Sequence, residues 1–88
     1  MKVAFRKSFT RDLRRIADQK LLGRVEERIS EIELATTLRD VRELKKLAGT
    51  ENYYRIRVGE FRIGLIARQG EIALVRFLHR RDIYKYFP

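Results

Sequence analysis

The chain has 88 residues, of which 44% are hydrophobic and 38% are charged, and it carries a formal net charge of +9. This composition predicts one small folded domain, residues 1–88, and argues against intrinsic disorder. The chain has no cysteine and only one histidine, which excludes disulfides, thiolate metal sites and a zinc site built from His79 alone. We therefore expect no bound metal.

The distribution of charge predicts the class of partner. The 21 Lys and Arg outnumber the 12 Asp and Glu chiefly in residues 1–23 and 49–88. Such a surface attracts polyanions or an acidic partner protein, although a cationic surface can also be solvated without a specific partner. No secretory signal and no apolar run of about 18 residues is present, so we expect a cytoplasmic protein without a membrane partner.

The first half of the chain predicts one strand and two helices. Lys2–Arg6 alternates between apolar and basic side chains, as a half-buried strand does. Ser8 is a candidate N-cap for a short basic helix that begins at Phe9. A second helix, about residues 20–35, has an apolar stripe formed by Leu22, Val25, Ile29 and Ile32. Residues 36–52 fit a loose helical turn or an irregular segment that ends at Gly49.

The second half of the chain has a period of two, which predicts strands at residues 53–58, 61–68 and 71–78. Gly59-Glu60 and Gln69-Gly70 fit the two-residue turns of successive hairpins. The expected fold class is α+β, with an N-terminal strand, two antiparallel helices, a three-stranded antiparallel meander and a short C-terminal tail. We expect both helices against one face of a twisted sheet and the other face open.

Five arginines are expected to meet on or around one surface of the sheet. Alternation places Arg55 and Arg57 on one side of the strand at residues 53–58. Arg76 and Arg80 are an even number of residues apart, so alternation also places them on one side of the last strand. Arg62 lies on the strand between these two. Guanidinium groups bind phosphate oxygens in pairs and stabilise the extra charge of a pentacovalent transition state. The alternative is that these strand arginines only face water.

A histidine and several tyrosines complete the candidate site. His79 can donate or accept a proton in phosphodiester cleavage, or it can be purely structural. Tyr53, Tyr84 and Tyr86 are candidates to stack bases of a single strand. Arg81 extends the basic run at the C-terminus.

Together with the order of strand, helices and meander, these residues resemble the RelE/ParE superfamily of bacterial and archaeal type II toxins over nearly the whole length of the chain. The resemblance is strongest in residues 44–49, 54–59, 61–63 and 79–84. The resemblance implies a RelE-like fold. For the RelE branch it implies a ribosome-dependent messenger RNA endonuclease, in which an RNA 2′-hydroxyl attacks the adjacent phosphate without a metal and leaves a cyclic phosphate. It also implies a cognate antitoxin, the ribosome and mRNA as partners, and no small-molecule cofactor.

The resemblance, taken with the charge pattern, defines two sets of candidate residues. The catalytic candidates are Arg57, Arg62, His79, Arg80 and Tyr84, and the RNA-binding candidates are Arg55, Arg76, Arg81, Tyr53 and Tyr86. The chain departs from the RelE pattern because Arg55 and Arg57 replace lysines, and arginine is not deprotonated in proteins. The general base therefore stays open among His79, Glu43, Glu51 and a group supplied by the ribosome.

Two alternatives to the nuclease also stay open. A ParE-like protein would share the fold and poison DNA gyrase by binding rather than by cleaving nucleic acid. An inactive RNA-binding module would bind RNA in a salt-dependent manner without cutting it. Tyr86 competes with Tyr84 for the stacking position.

Overall fold

Five strands form one mixed sheet in the computed structural model, which describes residues 1–88. The elements in chain order are β1 (Lys2–Phe5), α1 (Lys7–Arg14), α2 (Gln19–Leu34), a short 3₁₀ turn (Leu38–Asp40), β2 (Leu44–Lys46), β3 (Tyr53–Val58), β4 (Phe61–Arg68), β5 (Glu71–His79) and α3 (Ile83–Tyr86). The strand order is β1-β5-β4-β3-β2, with β1 parallel to β5 and all other neighbours antiparallel. No helix is both long and apolar enough to cross a bilayer.

The α+β class is confirmed, and the strand count is corrected. The predicted meander, β3 to β5, forms the centre of a larger sheet, to which β1 and β2 add one strand at each edge. β2 has only three residues, so it is too short for alternation to identify it within residues 36–52. The four-residue helix α3 lies within what the sequence predicted only as a tail.

The helix N-termini also differ from the prediction. α1 begins at Lys7, and Ser8 does not cap it, because the Ser8 hydroxyl donates a hydrogen bond to the carbonyl of Val75. α2 begins one residue before the predicted start, and the carboxylate of Asp18 accepts hydrogen bonds from two of its first backbone N–H groups. Ser8 therefore ties α1 to β5.

Both long helices cover the same face of the sheet, here called the helix face. Phe9 of α1 and Val25 and Ile32 of α2 belong to one buried cluster with strand residues. Alternation brings Ile56, Val58, Ile63, Leu65, Ile72, Leu74 and Phe77 to this cluster from β3, β4 and β5. The intervening residues of these strands point to the opposite side, here called the open face.

A β-bulge in β5 changes which residues face the helices. Gly64 pairs with Arg76 but Leu65 pairs with Leu74, so Val75 is the extra residue on β5. Before the bulge Leu74 faces the helices, and after it Phe77 does, with its ring 6.4 Å from that of Phe9. The bulge lies before Arg76, so it changes the parity of Ile72 and Leu74 relative to Arg76 but leaves Arg76, Leu78 and Arg80 on one parity.

The carboxylate of Asp12 binds β5 directly after the bulge. It accepts hydrogen bonds from Arg76 Nε at 2.7 Å, from Arg76 Nη2 at 3.2 Å and from the backbone N–H of Phe77 at 3.0 Å. The Asp12 side chain is only 2% exposed. A buried carboxylate needs such partners, so this contact fixes α1 against the bulged strand.

The tail covers part of the open face. Ile83, Phe87 and Leu47 form a second buried cluster, against which Tyr53, Val75 and Leu78 pack. The Phe87 ring lies directly over Gly64, because a Cβ atom on Gly64 would come within 2.7 Å of that ring. The expectation of a fully open face is therefore corrected.

Replacing Asp12 with alanine should lower the free energy of unfolding by about 3 kcal/mol, because it leaves the Arg76 guanidinium and the Phe77 N–H without their partner. Urea unfolding followed by circular dichroism measures this loss. The control is Glu60→Ala, which removes an exposed ion pair with Arg80 and should cost less than about 1 kcal/mol. Equal costs for the two variants would contradict the structural importance of Asp12.

Replacing Gly64 with alanine should cost about 1–3 kcal/mol, because the new methyl group overlaps the Phe87 ring. The matched control is Gly23→Ala in α2, where no atom lies within 4 Å of the added carbon. That change should stabilise the protein by about 1 kcal/mol through helix propensity. In the background of Phe87→Ala, the cost of Gly64→Ala should largely disappear, and a persistent cost would show that the ring is not the cause.

Candidate functional site

A cationic cleft of about 290 Å³ opens on the open face of the sheet, and we call it the Arg62 cleft. It is lined by Glu43, Lys45, Arg55, Arg57 and Arg62, with no apolar side chain. Lys45 of β2 pairs with Arg55 of β3, and Arg57 of β3 pairs with Arg62 of β4. Because paired residues point to the same face, four basic side chains from three adjacent strands lie together on the open face.

The guanidinium of Arg62 is fixed at the β3–β4 turn. Its Nη1 donates to the carbonyl oxygens of Gly59 and Phe61, both at 2.9 Å. Burial lowers the pKa of Arg62, and the neighbouring charges of Arg55, Arg57 and Arg80 lower it further. A guanidinium still stays protonated in proteins, so like charges repel one another in the cleft. An anion that enters the cleft relieves this repulsion.

Glu43 is the only carboxylate that lines the Arg62 cleft. Its backbone has a φ of 57°, a left-handed conformation that is uncommon for residues other than glycine. Its carboxylate lies 3.8 Å from Nη2 of Arg28 in α2, and Arg28 also binds Glu31 at 3.2 Å. Arg28 thus connects the helix layer to the rim of the cleft.

Glu31 is the centre of the ion-pair cluster behind Glu43. Arg42 donates to it at 2.6 Å, and this hydrogen bond is the main reason that the pKa of Glu31 lies below its ordinary value of about 4.5. Arg28 lowers the pKa of Glu31 further, whereas burial opposes the shift. Because the folded pKa is lowered, the stability from this cluster is complete above the ordinary value and is lost as pH falls through the folded pKa.

The tail brings Tyr84 to the edge of the cleft. Arg55 donates a hydrogen bond to the Tyr84 hydroxyl, and its guanidinium carbon lies 5.2 Å from the centre of the Tyr84 ring. The Tyr84 side chain is nevertheless 60% exposed, so most of its surface is accessible. Arg80, which pairs with Glu60 at 2.7 Å, lies close enough to influence the pKa of Arg62.

Several of the candidate residues lie away from the cleft. His79 contacts Phe61 edge to face at 5.5 Å and lines a separate depression, on the helix face, with Asp12. Its Nδ1 accepts hydrogen bonds from the backbone and side chain of Arg81. The carboxylate candidate Glu51 is exposed in the turn before β3 and does not line the cleft.

Three aromatic or basic candidates are engaged elsewhere. Arg76 is paired with Asp12, and its guanidinium carbon lies 5.9 Å from the ring of Tyr86. Tyr53 packs against Phe87 with ring centres 5.5 Å apart. The expected convergence therefore holds for Arg55, Arg57 and Arg62, with Arg80 nearby, and does not include Arg76.

Lys45 was not among the sequence candidates, although it lines the cleft. The available signal was the alternation of Leu44, Lys45 and Lys46, in which Leu44 packs against the core and Lys45 points away from it. Three residues are too few for this signal to be decisive.

Comparison with known proteins assigns the chain to a family. Residues 3–84 match the family model described as ParE toxin of type II toxin-antitoxin system, parDE. The chain is 42% identical over 89 residues to Toxin RelE3 of Methanocaldococcus jannaschii, with full coverage of both sequences.

Solved structures agree with this assignment. The chain resembles the RelB-RelE antitoxin-toxin complex from Methanococcus jannaschii with a TM-score of 0.81 and 38% identity, covering 97% of this chain and 99% of that one. The archaeal RelE-RelB complex from Pyrococcus horikoshii OT3 shares the fold, with a TM-score of 0.73, 22% identity and coverage of 90% and 93%. The chain therefore belongs to the RelE/ParE family and is a RelE-like toxin of a type II toxin-antitoxin system.

Proposed function

We propose that the chain is a messenger RNA endonuclease that inhibits translation by cutting ribosome-bound mRNA in the Arg62 cleft without a metal. The observation that carries this proposal is the meeting of Arg55, Arg57 and Arg62 with one carboxylate, Glu43, in a cleft without apolar side chains. Fixed guanidinium groups stabilise the charge that develops on a phosphate during cleavage. A gyrase poison that acts only by binding does not require such a carboxylate.

The proposed reaction is a transesterification within the RNA. The 2′-oxygen attacks the adjacent phosphorus, and the bond from phosphorus to the 5′-oxygen of the next nucleotide breaks. A base takes the proton of the 2′-hydroxyl, and an acid protonates the leaving 5′-oxygen. The products are a 2′,3′-cyclic phosphate and a 5′-hydroxyl, so no water, metal or redox partner is consumed.

The positions of the side chains support a division of labour. Arg57 and Arg62 bind the scissile phosphate, and Arg80 adds positive charge from the end of β5. Tyr84, held at the cleft edge by Arg55, stacks on a base or orients it. Arg55 also contributes to RNA binding, whereas Arg81, Tyr53 and Tyr86 lie outside the cleft and act at most on more distant parts of the RNA.

Glu43 is the proposed general base, and Lys45 is the proposed general acid. Both line the cleft, whereas His79 lies on the helix face and contacts Phe61 and Arg81. A carboxylate accepts a proton and an ammonium donates one, so the pair can serve the two ends of the reaction. Arg28 contacts the Glu43 carboxylate and helps to position it.

An antitoxin is the proposed partner. The relatives in archaeal structures form complexes with RelB antitoxins. The net charge of +9 favours an acidic partner segment. Such a segment can inhibit the toxin by covering the arginines or by displacing α3.

Replacing Arg62 with glutamine should lower mRNA cleavage on ribosomes by about 10²–10³-fold, because a fixed donor to the transition state is lost. Mapping of mRNA 5′-ends after brief expression measures the cleavage. The control is Arg68→Gln, which removes the same charge from the opposite end of β4. Undiminished cleavage by the Arg62 variant would refute the proposed site, and gyrase-dependent DNA breaks without new mRNA ends would instead support the ParE-like alternative.

Replacing Glu43 with glutamine should lower the single-turnover cleavage rate by about 10²–10³-fold, because the amide cannot accept the proton of the 2′-hydroxyl. His79→Gln is the matched comparison and should leave the rate close to that of the unmodified toxin. If the effects of the two substitutions were reversed, the base would be His79 and not Glu43.

A further inference from the structure

A second cleft, of about 460 Å³, lies beside the β3–β4 turn, and we call it the Arg24 cleft. Lys20 and Arg24 of α2 line it together with Arg57, while Leu21 and Phe61 contribute apolar surface. Arg57 also lines the Arg62 cleft, so the two clefts share one guanidinium. This sharing makes the two clefts neighbours on one continuous cationic surface.

None of the three cations of the Arg24 cleft forms an ion pair within the protein. Lys20, Arg24 and Arg57 take part in none of the five salt bridges of the structure. The two carboxylates at this cleft are already engaged, since Asp18 caps α2 and Glu60 pairs with Arg80 at 2.7 Å. The cleft therefore presents unpaired positive charge to a ligand.

Gly59 contacts a guanidinium group from each of the two clefts. On one side its carbonyl accepts a hydrogen bond from Arg62 at 2.9 Å. On the other side the Arg24 guanidinium lies against its backbone, with Nη1 only 3.0 Å from the point where a Cβ atom would stand. The absence of a side chain at this turn, where φ is 60°, lets the Arg24 guanidinium lie against the backbone.

The apolar part of the Arg24 cleft is rigid and partly aromatic. The Phe61 ring stacks on Phe77 with centres 5.0 Å apart and an interplanar angle of 15°. Phe77 is itself buried in the core, so the Phe61 ring is held in place. An apolar floor with cations at its rim suits a nucleotide, whose base is flat and whose phosphate is anionic.

We propose that the Arg24 cleft is a second RNA-binding site, which holds a base and the phosphates of the single-stranded segment next to the one in the Arg62 cleft. This inference rests on the proposed function, because it takes the Arg62 cleft as the place of cleavage. Arg57 binds at the junction, and Lys20 and Arg24 bind the phosphates beyond it. The second site increases affinity for mRNA without contacting the reacting atoms.

The test compares RNAs of two lengths in which every 2′-hydroxyl is methylated, so that no attack can occur. A trinucleotide occupies the Arg62 cleft alone, whereas a dodecanucleotide reaches both clefts. Fluorescence anisotropy at several salt concentrations gives affinities for the unmodified toxin and for Lys20→Gln/Arg24→Gln. The control variant, Lys2→Gln/Arg68→Gln, removes the same charge from exposed residues at the opposite end of the sheet.

The Lys20 and Arg24 double variant should bind the dodecanucleotide about tenfold more weakly. The slope of the logarithm of its binding constant against the logarithm of the salt concentration should be smaller in magnitude by about 1.4, as expected for two lost phosphate contacts on a single strand. Its affinity for the trinucleotide should not change. The control pair should reduce dodecanucleotide affinity much less. Circular dichroism melting confirms that both variants are folded.

Other outcomes would overturn the second site. These are equal losses for both RNA lengths, no loss for either, or an equal loss in the control pair. Unchanged dodecanucleotide binding together with lost binding of poly-glutamate would assign the cleft to an acidic protein partner instead. Arg62→Gln separates the two proposals, because it should weaken binding of both RNAs. If it weakened neither, the proposed function of the Arg62 cleft would be refuted, and the second site, which rests on it, would fall with it.

Discussion

The contact between Asp12 and the bulged part of β5 is the constraint on which the rest of the structure depends. One buried carboxylate binds the side chain of Arg76 and the backbone N–H of Phe77, and so fixes α1 to the sheet where the register shifts. Because the register shifts there, Phe77 enters the core while Val75 and Leu78 pack against the tail. The same contact pairs Arg76 within the protein, and Arg76 does not line the Arg62 cleft. A single interaction thus links the packing of α1 on the sheet to the pairing of Arg76.

The Arg62 cleft brings like charges together, which by itself opposes stability. Three guanidinium groups from β3 and β4 lie together with one carboxylate, and their mutual repulsion lowers the pKa of Arg62 in addition to the effect of burial. Backbone carbonyls of Gly59 and Phe61 hold Arg62 in place despite this repulsion. The ion pairs of Arg28 with Glu31 and Glu43 stabilise the opposite wall. The fold therefore supplies the positions, and an anion is needed to balance the charge.

The sequence predicts the fold class and the central strands well because their signals are local. The alternation in residues 53–58 and 61–68 gives the bounds of β3 and β4 and places Arg55 and Arg57 on one face. The parts that could not be predicted depend on contacts between distant residues. Asp12 and Arg76 are 64 positions apart in the sequence. No residue pattern around the bulge predicts the register shift that changes the parity of β5. The same holds for Glu43, which directly precedes the unrecognised strand β2 and lines the Arg62 cleft.

The tail shows how packing far from any charge determines the geometry of the site. Ile83 and Phe87 are four residues apart in and beyond α3, so both can be buried on one side of the helix, and Tyr84 and Tyr86 are left exposed. Phe87 can lie on the sheet only because Gly64 has no side chain beneath it. That position in turn sets where Tyr84 meets Arg55 at the edge of the cleft. The aromatic residues of the tail therefore divide into two groups: Phe87 is buried and anchors the tail, whereas Tyr84 and Tyr86 are exposed. The positions of the buried residues Ile83 and Phe87 place Tyr84 beside Arg55.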